Sequence, residues 1–300
     1  MRSARRRTLL GMMTVVATMA TLGFAASAFA TPKGAYAVFA NCPTKFPGLE
    51  YCIFGQVTSG EVAIGGTSVP ISKTLTIQSG ALPTGPEGVY ALIPATNGES
   101  LSKTPLNVPG GLLDLVNCKD IKGNGFFEIA ERLSCEAIFE NKTTGVTATT
   151  ELVATASDPA IFNAEALLGE TGVALTLPVR VHLSNPLLGS SCYIGSESNP
   201  ITLHLTTGTT SPPAPNKPIK GKRGNFVTEG EGGIIGLPEV SLVDNAFSAP
   251  KAEGCGGFFS FLIDPIVNAK LGLPSAAGHN TAILNGSQRI AAAEEVVAHE

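Results

Sequence analysis

Residues 172–183, "GVALTLPVRVHL", alternate apolar or β-branched side chains with smaller or polar ones, and residues 200–207, "PITLHLTT", repeat the alternation. A period of two is typical of a β-strand with one buried face. The segment 134–156, "SCEAIFENKTTGVTATTELVATA", indicates a hairpin about residues 141–145. These three segments predict a fold built mainly of β-strands.

The composition supports this fold class. Charged residues make up 15% of the chain, against about 25% in typical globular proteins, and the sequence contains 34 Gly and 21 Pro. Short helices are expected in "DPAIFNAEALLG", from an N-cap at Asp158 to Gly169, and in "DPIVNAKLG", from an N-cap at Asp264 to Gly272. The sequence therefore predicts an all-β protein with a few short helices.

The chain also contains a weak internal repeat. "VFANCPTKFPGLEYCIFG" (38–55) aligns with "VHLSNPLLGSSCYIG" (181–195), and "NCKDIKGNGFFEI" (117–129) aligns with "GCGGFFSF" (254–261). We therefore predict two tandem, related, sandwich-like units; one pseudosymmetric sandwich or barrel is the alternative. The expected divisions are a signal peptide (1–30), a β-rich unit (31–157), a short helical connector (158–171) and a second β-rich unit with a frayed C-terminal tail (172–300).

The N-terminus has the layout of a secretory signal peptide. Four arginines precede an apolar run that ends in Ala28-Phe29-Ala30, which predicts cleavage after Ala30. An uncleaved membrane anchor is the alternative, because the run from Thr8 to Thr31 is long enough to span a bilayer. After cleavage, 16 basic residues remain against 24 acidic ones, a net charge of −8 that does not favour a nucleic-acid partner. We expect a secreted or cell-envelope protein that is not integral to the membrane.

Six cysteines in an exported chain predict disulfide bonds. The repeat aligns Cys52 with Cys192 and Cys118 with Cys255. It therefore predicts the pairs Cys52–Cys118 and Cys192–Cys255, which leaves Cys42–Cys135. Sequential pairing, Cys42–Cys52, Cys118–Cys135 and Cys192–Cys255, is the alternative.

Signatures of common catalytic sites are not found in the sequence. It lacks the G-x-S-x-G nucleophile elbow, the H-E-x-x-H zinc helix and the phosphate-binding P-loop. His182, His204 and His279 could approach one another as a metal or acid–base site, but isolated positions on polar faces are the preferred interpretation. We therefore assign no catalytic residue, metal ligand or cofactor.

Two groups of residues are candidates for ligand or surface contact. The basic cluster, which could meet anionic polymers or lipid head groups, consists of Lys217, Lys220, Lys222 and Arg223. The Phe pairs, which could line an apolar pocket or pack in the core, are Phe126, Phe127, Phe258 and Phe259.

These observations favour a non-enzymatic envelope or extracellular protein, structural or adhesive, whose partner is an envelope polymer, a lipid or another surface protein. The second hypothesis is a binder or carrier of a small apolar ligand or lipid between two β layers. The third is a hydrolase with a non-standard site.

Overall fold

Strands predominate in the computed structural model, which describes residues 31–111, 125, 145–155 and 157–300. The strands are β1 (Tyr51–Ile64), β2 (Thr67–Pro70), β3 (Leu75–Pro83), β4 (Val89–Pro94), β5 (Leu106–Asn107), β6 (Thr147–Leu152), β7 (Ile161–Asn163), β8 (Leu175–Ser184), β9 (Tyr193–Ile194), β10 (Ile201–Leu205), β11 (Val227–Glu229), β12 (Ile234–Asp244), β13 (Ala252–Glu253) and β14 (Thr281–Ala292). The α-helices are α1 (Ala164–Gly169), α2 (Ser260–Leu271) and α3 (Ala293–Ala298). The predicted mostly β fold with short helices is confirmed.

The alternation that opened the sequence analysis is present on β8. Leu177, Val179 and Val181 are buried, whereas Arg180 and His182 between and beyond them are only half-buried. β10 follows the same pattern, and its register with β8 places Leu203 opposite Leu177. The two strands therefore present one continuous apolar face to the interior.

The strands form one antiparallel sheet in the order β11-β12-β14-β1-β3-β4-β7-β8-β6-β5. β9 and β10 also pair with β8, and β2 pairs with β1. Because the path runs between two ends, β11 and β5, the sheet over the described residues is not a closed barrel. β1 pairs with β14 and β6 with β8, so strands from both predicted units hydrogen-bond together and the tandem units are not confirmed.

Irregularities in the central strands bend this sheet. The register shifts between Val57 and Ser59 of β1 and between Leu237 and Val240 of β12, and both shifts lie beside Gly286 of β14. A Cβ at Gly286 would clash with the backbone of Gln56, so only glycine allows this close approach. Bulges increase strand bending and twist. Residues of β1, β3, β12 and β14 line one cavity together with residues of β6, β8 and β10, so these two halves of the sheet face each other across the core.

Both predicted helices begin elsewhere than expected. The residues after Asp158 form β7, and α1 begins after Asn163, whose Oδ1 accepts a hydrogen bond from the Ala166 N–H at 2.9 Å. α2 begins at Ser260, four residues before the predicted cap. Asp264 lies within α2 and accepts a hydrogen bond from the Cys255 N–H at 2.7 Å, so it fixes the preceding loop rather than capping a helix.

The disulfide predictions are corrected in part. The Cys192–Cys255 bond is confirmed. Cys42 bonds Cys52, so the predicted Cys52–Cys118 and Cys42–Cys135 pairs are wrong. The reason is local, because the chain between Cys42 and Cys52 reverses and both sulfurs enter a small core with Tyr36, Phe39 and Val296. Cys118 and Cys135 lie outside the described residues.

Candidate apolar ligand site

A cavity of about 100 Å³ lies between the two facing halves of the sheet. Of its 17 lining residues, 15 are apolar and the other two are Thr76 and Thr150. The wall on one side comes from β1 and β3, including Val62 and Ile77, and the opposite wall comes from β8 and β10, including Val181 and Leu203. We call this space the central cavity.

Two smaller apolar cavities continue it. A cavity of about 60 Å³ shares Val62, Ile64 and Val181 with the central cavity. A third, of about 40 Å³, shares Val57 and Ile77 with it. The three apolar cavities therefore lie next to one another between the layers.

The lining of the central cavity suits a small apolar guest. Burying apolar surface is favourable by about 25 cal/mol per Å². An apolar cavity of about 150 Å³ is known to bind benzene or xenon, so the central cavity, at about 100 Å³, has room for a short alkyl chain.

A more polar cleft of about 470 Å³ adjoins the apolar space. It is lined by the end of β4, beyond the residues of β4 that pair with β7, and by residues of β6 and β8. Ile77 and Leu101 line both the cleft and the central cavity, and they are bridged to each other through their backbones. These two side chains are the boundary between the two spaces.

The polar side chains of the cleft come from several parts of the fold. Ser79 follows Ile77 on the inward face of β3, and Lys103 comes from the loop before β5. Arg180 of β8 lies directly opposite Glu151 of β6, and its Nη2 is 2.8 Å from Glu151 Oε2. The Arg180 guanidinium also lies 4.4 Å from the ring centre of Tyr193, a cation–π arrangement.

An aromatic cluster supports the strands that join the two halves of the sheet. The rings of Tyr51 and Tyr90 meet edge-on with centres 5.5 Å apart, and Phe162 stacks 6.3 Å from Tyr90. Burial and the neighbouring Glu50 raise the pKa of the Tyr51 phenol to about 12. Burial also raises the pKa of Tyr90. Both phenols therefore stay uncharged at neutral pH, so the aromatic rings pack together without a buried charge.

Phe258 and Phe259, two of the Phe residues considered as ligand contacts, do not line these cavities. They lie in a 3₁₀ turn before α2 and are 89% and 57% exposed. Phe261 and Leu262 on the first turn of α2 are exposed beside them. For this pair, both interpretations of the sequence, a pocket wall and a core position, are therefore wrong, and the side chains form a surface patch. Phe126 and Phe127 lie outside the described residues.

The basic cluster is largely engaged with neighbouring groups. Lys222 Nζ is 2.7 Å from Glu239 Oε2, and this hydrogen bond holds the pKa of Glu239 below its ordinary value. Arg223 Nη1 donates to the Leu168 carbonyl at 2.9 Å, and Lys220 Nζ lies 4.0 Å from Glu170. Lys217 is exposed. The cluster therefore offers less free positive charge than its sequence indicates.

The histidines show no arrangement for metal binding. His182 stacks on Tyr193 with ring centres 4.6 Å apart, and His204 is exposed on β10. In the described ranges, no group of three or more His, Cys, Asp or Glu side chains could hold a metal ion.

The chain matches no protein-family model, no curated protein and no solved structure. The geometry of the cavity and the cleft therefore carries the functional argument. Within the described part of the chain, no helix is both long and apolar enough to cross a membrane.

The polar residues that line the cleft were not among the candidates from the sequence. Ser79 and Lys103 carry no local signal, because their importance depends on strands and loops far apart in sequence. Arg180 does carry a local signal, because it is a charged residue within the otherwise mostly apolar segment "LPVRVHL" of β8. Its position opposite Glu151 becomes visible only with the register of β6 and β8.

Proposed function

We propose that the protein is an exported, disulfide-braced binder or carrier of a small molecule with an alkyl chain. The observation that carries this proposal is the apolar central cavity of about 100 Å³ between the two halves of the sheet. Ligand sites are typically concave, mostly apolar and supplemented by a few polar groups, as the cavity and adjoining cleft are. Export is supported by the two disulfide bonds among the described cysteines, since such bonds persist in oxidising compartments.

Native mass spectrometry of the protein purified without detergent tests this function. We expect a fraction of the protein to carry extra mass that is lost on denaturation, and organic extraction to release a molecule with an alkyl chain. Protein that carries no extra mass and binds no fluorescent apolar probe after purification would contradict the proposal.

Filling the cavity should block binding. Val181 is 9% exposed and lines both the central cavity and the 60 Å³ cavity, so a Val181→Phe side chain would occupy ligand space. We expect at least tenfold weaker binding of an apolar fluorescent probe, because the guest loses its contacts, while the free energy of unfolding stays close to the wild-type value. Probe titration and urea unfolding measure the two quantities.

Val173→Phe is the matched control, because Val173 is 39% exposed and lines none of the three cavities. It should bind the probe as the wild type does. Unchanged probe affinity in a folded Val181→Phe variant would place the probe elsewhere and count against the cavity.

A structural or adhesive function is the second candidate, and the exposed patch of Phe258, Phe259, Phe261 and Leu262 favours it. Adjacent exposed apolar side chains commonly mark contact surfaces. A protein that carries no ligand, yet adsorbs to envelope material from its host through this patch, would support the second candidate over the first.

A further inference from the structure

We propose that the cleft binds the carboxylate of a single-chain amphiphile whose alkyl chain occupies the central cavity. This inference rests on the proposed function and adds the chemical class of the head group. It is carried by three features of the cleft: an unpartnered buried hydroxyl, a surplus of positive charge and a shared wall with the cavity.

The hydroxyl belongs to Ser79. Its side chain is 2% exposed, it lines the cleft, and its Oγ has no hydrogen-bond partner among the described residues. A buried hydroxyl without a partner is unfavourable, so native structures usually satisfy such groups. A ligand oxygen in the cleft would accept the Ser79 hydrogen bond.

The charge of the cleft favours an anion. Arg180 and Glu151 neutralise each other through two contacts, from Nε at 2.9 Å and from Nη2 at 2.8 Å to the same carboxylate oxygen. Lys103 is exposed, lines the cleft and makes no ion pair with any described residue. The lining therefore carries one surplus positive charge, and an ammonium can form a short, charge-assisted hydrogen bond with a carboxylate.

The cleft and the central cavity are adjacent, so a molecule that passes between the side chains of Ile77 and Leu101 would use both spaces. Ile77 and Leu101 line the cleft on one side and the central cavity on the other. Ser79 follows Ile77 by two residues on the same strand, so the hydroxyl lies at the cavity's edge on the same face. A head group near Ser79 and Lys103 would place its alkyl chain against Ile77, pointing into the apolar space.

Isothermal titration of hexanoate and 1-hexanol against the full protein tests the head-group assignment. The two probes share a six-carbon chain, short enough for the central cavity, and differ in charge. We expect hexanoate to bind at least tenfold more tightly than 1-hexanol at low salt, and the advantage to shrink as salt rises.

Lys103→Ala should weaken hexanoate binding about tenfold and change 1-hexanol binding less than twofold. Ser79→Ala, which removes the buried hydroxyl without adding bulk, should weaken hexanoate binding about fivefold. Lys270→Ala is the matched control, because Lys270 is exposed and does not line the cleft.

The outcomes separate the two proposals. Equal affinity for both probes, unchanged by Lys103→Ala, would overturn the carboxylate site and leave the apolar binding function standing. Failure of both probes to bind the wild-type protein would overturn the proposed function and this inference with it.

Discussion

Replacing both Cys192 and Cys255 by alanine is expected to lower the free energy of unfolding by about 4 kcal/mol. The bond joins residues 63 apart in sequence, and cross-linking a loop of that length removes about this much conformational entropy from the unfolded chain. The pair also holds the loop before α2 against the core, where both cysteines are fully buried. Urea unfolding of the oxidised proteins, followed by circular dichroism, measures the difference.

The second disulfide provides the comparison. Cys42 and Cys52 are 10 residues apart, so replacing both by alanine should cost less, about 3 kcal/mol by the same reasoning. A Cys192/Cys255 double variant that loses less stability than the Cys42/Cys52 double variant would contradict the loop-length argument. Peptide mapping without reduction should find both bonds in the wild-type protein.

Asn280→Ala is expected to cost about 2 to 4 kcal/mol, because three backbone groups, including the buried Phe247 carbonyl, lose their partner at about 1 kcal/mol each. Asn280 is fully buried. Its Oδ1 accepts from the Gly65 N–H at 2.9 Å, and its Nδ2 donates to the Phe247 carbonyl at 2.8 Å and to the Ala276 carbonyl at 3.1 Å. These bonds tie the β1–β2 turn and Phe247, which lines the central cavity, to the start of β14.

Asn97→Ala is the matched control. Asn97 is exposed and its Oδ1 accepts from the Glu99 N–H at 3.0 Å, so water can replace the bond and the change should stay within about 0.5 kcal/mol. Chemical unfolding of the two variants checks the pair. An Asn280→Ala variant as stable as Asn97→Ala would show that the buried network is not needed for the fold.

The strands were predictable where burial imposes a local period. Apolar and polar residues alternate along β8 and β10 because each strand has one face toward the core, and this alternation can be seen in neighbouring residues of the sequence. The β1–β2 hairpin was also predictable, since "GEVAIGG" ends in the Gly65-Gly66 turn that joins Ile64 to Thr67. In both cases the deciding interactions lie within a few residues of one another.

The predictions of helix starts and disulfide pairs were wrong where tertiary contacts override local sequence preferences. Asp264 followed by Pro265 is a typical helix start, yet α2 extends four residues further toward the N-terminus because the Asp264 carboxylate is occupied by the loop at Cys255. The repeat aligned Cys52 with Cys192, but the reversal of the chain after Cys42 brings a nearer partner to Cys52. Sequence alignment within the chain cannot detect that reversal.

The cavity and the cleft could not be predicted from local sequence patterns. An apolar ligand between two layers was one hypothesis from the sequence, but the candidate lining residues were Phe pairs, of which Phe258 and Phe259 lie on the surface. The actual lining comes from aliphatic residues on β1, β3, β8 and β10, which read as ordinary core positions. Side chains from the two layers either pack against each other or leave a cavity, depending on the distance between the layers. That distance is set by the bend of the whole sheet, so no single segment of the sequence indicates it.

Co-crystallisation with 5-bromopentanoic acid, which is close to hexanoate in shape, tests the central claim most directly, because the anomalous signal of bromine locates the end of the chain. We predict a bromine peak within the apolar space lined by Val181 and Leu203, with the carboxylate in the cleft near Ser79 and Lys103. A bromine peak only on the outer surface, for example beside Phe258, or an empty cavity at saturating ligand, would contradict the claim that this space binds an alkyl chain.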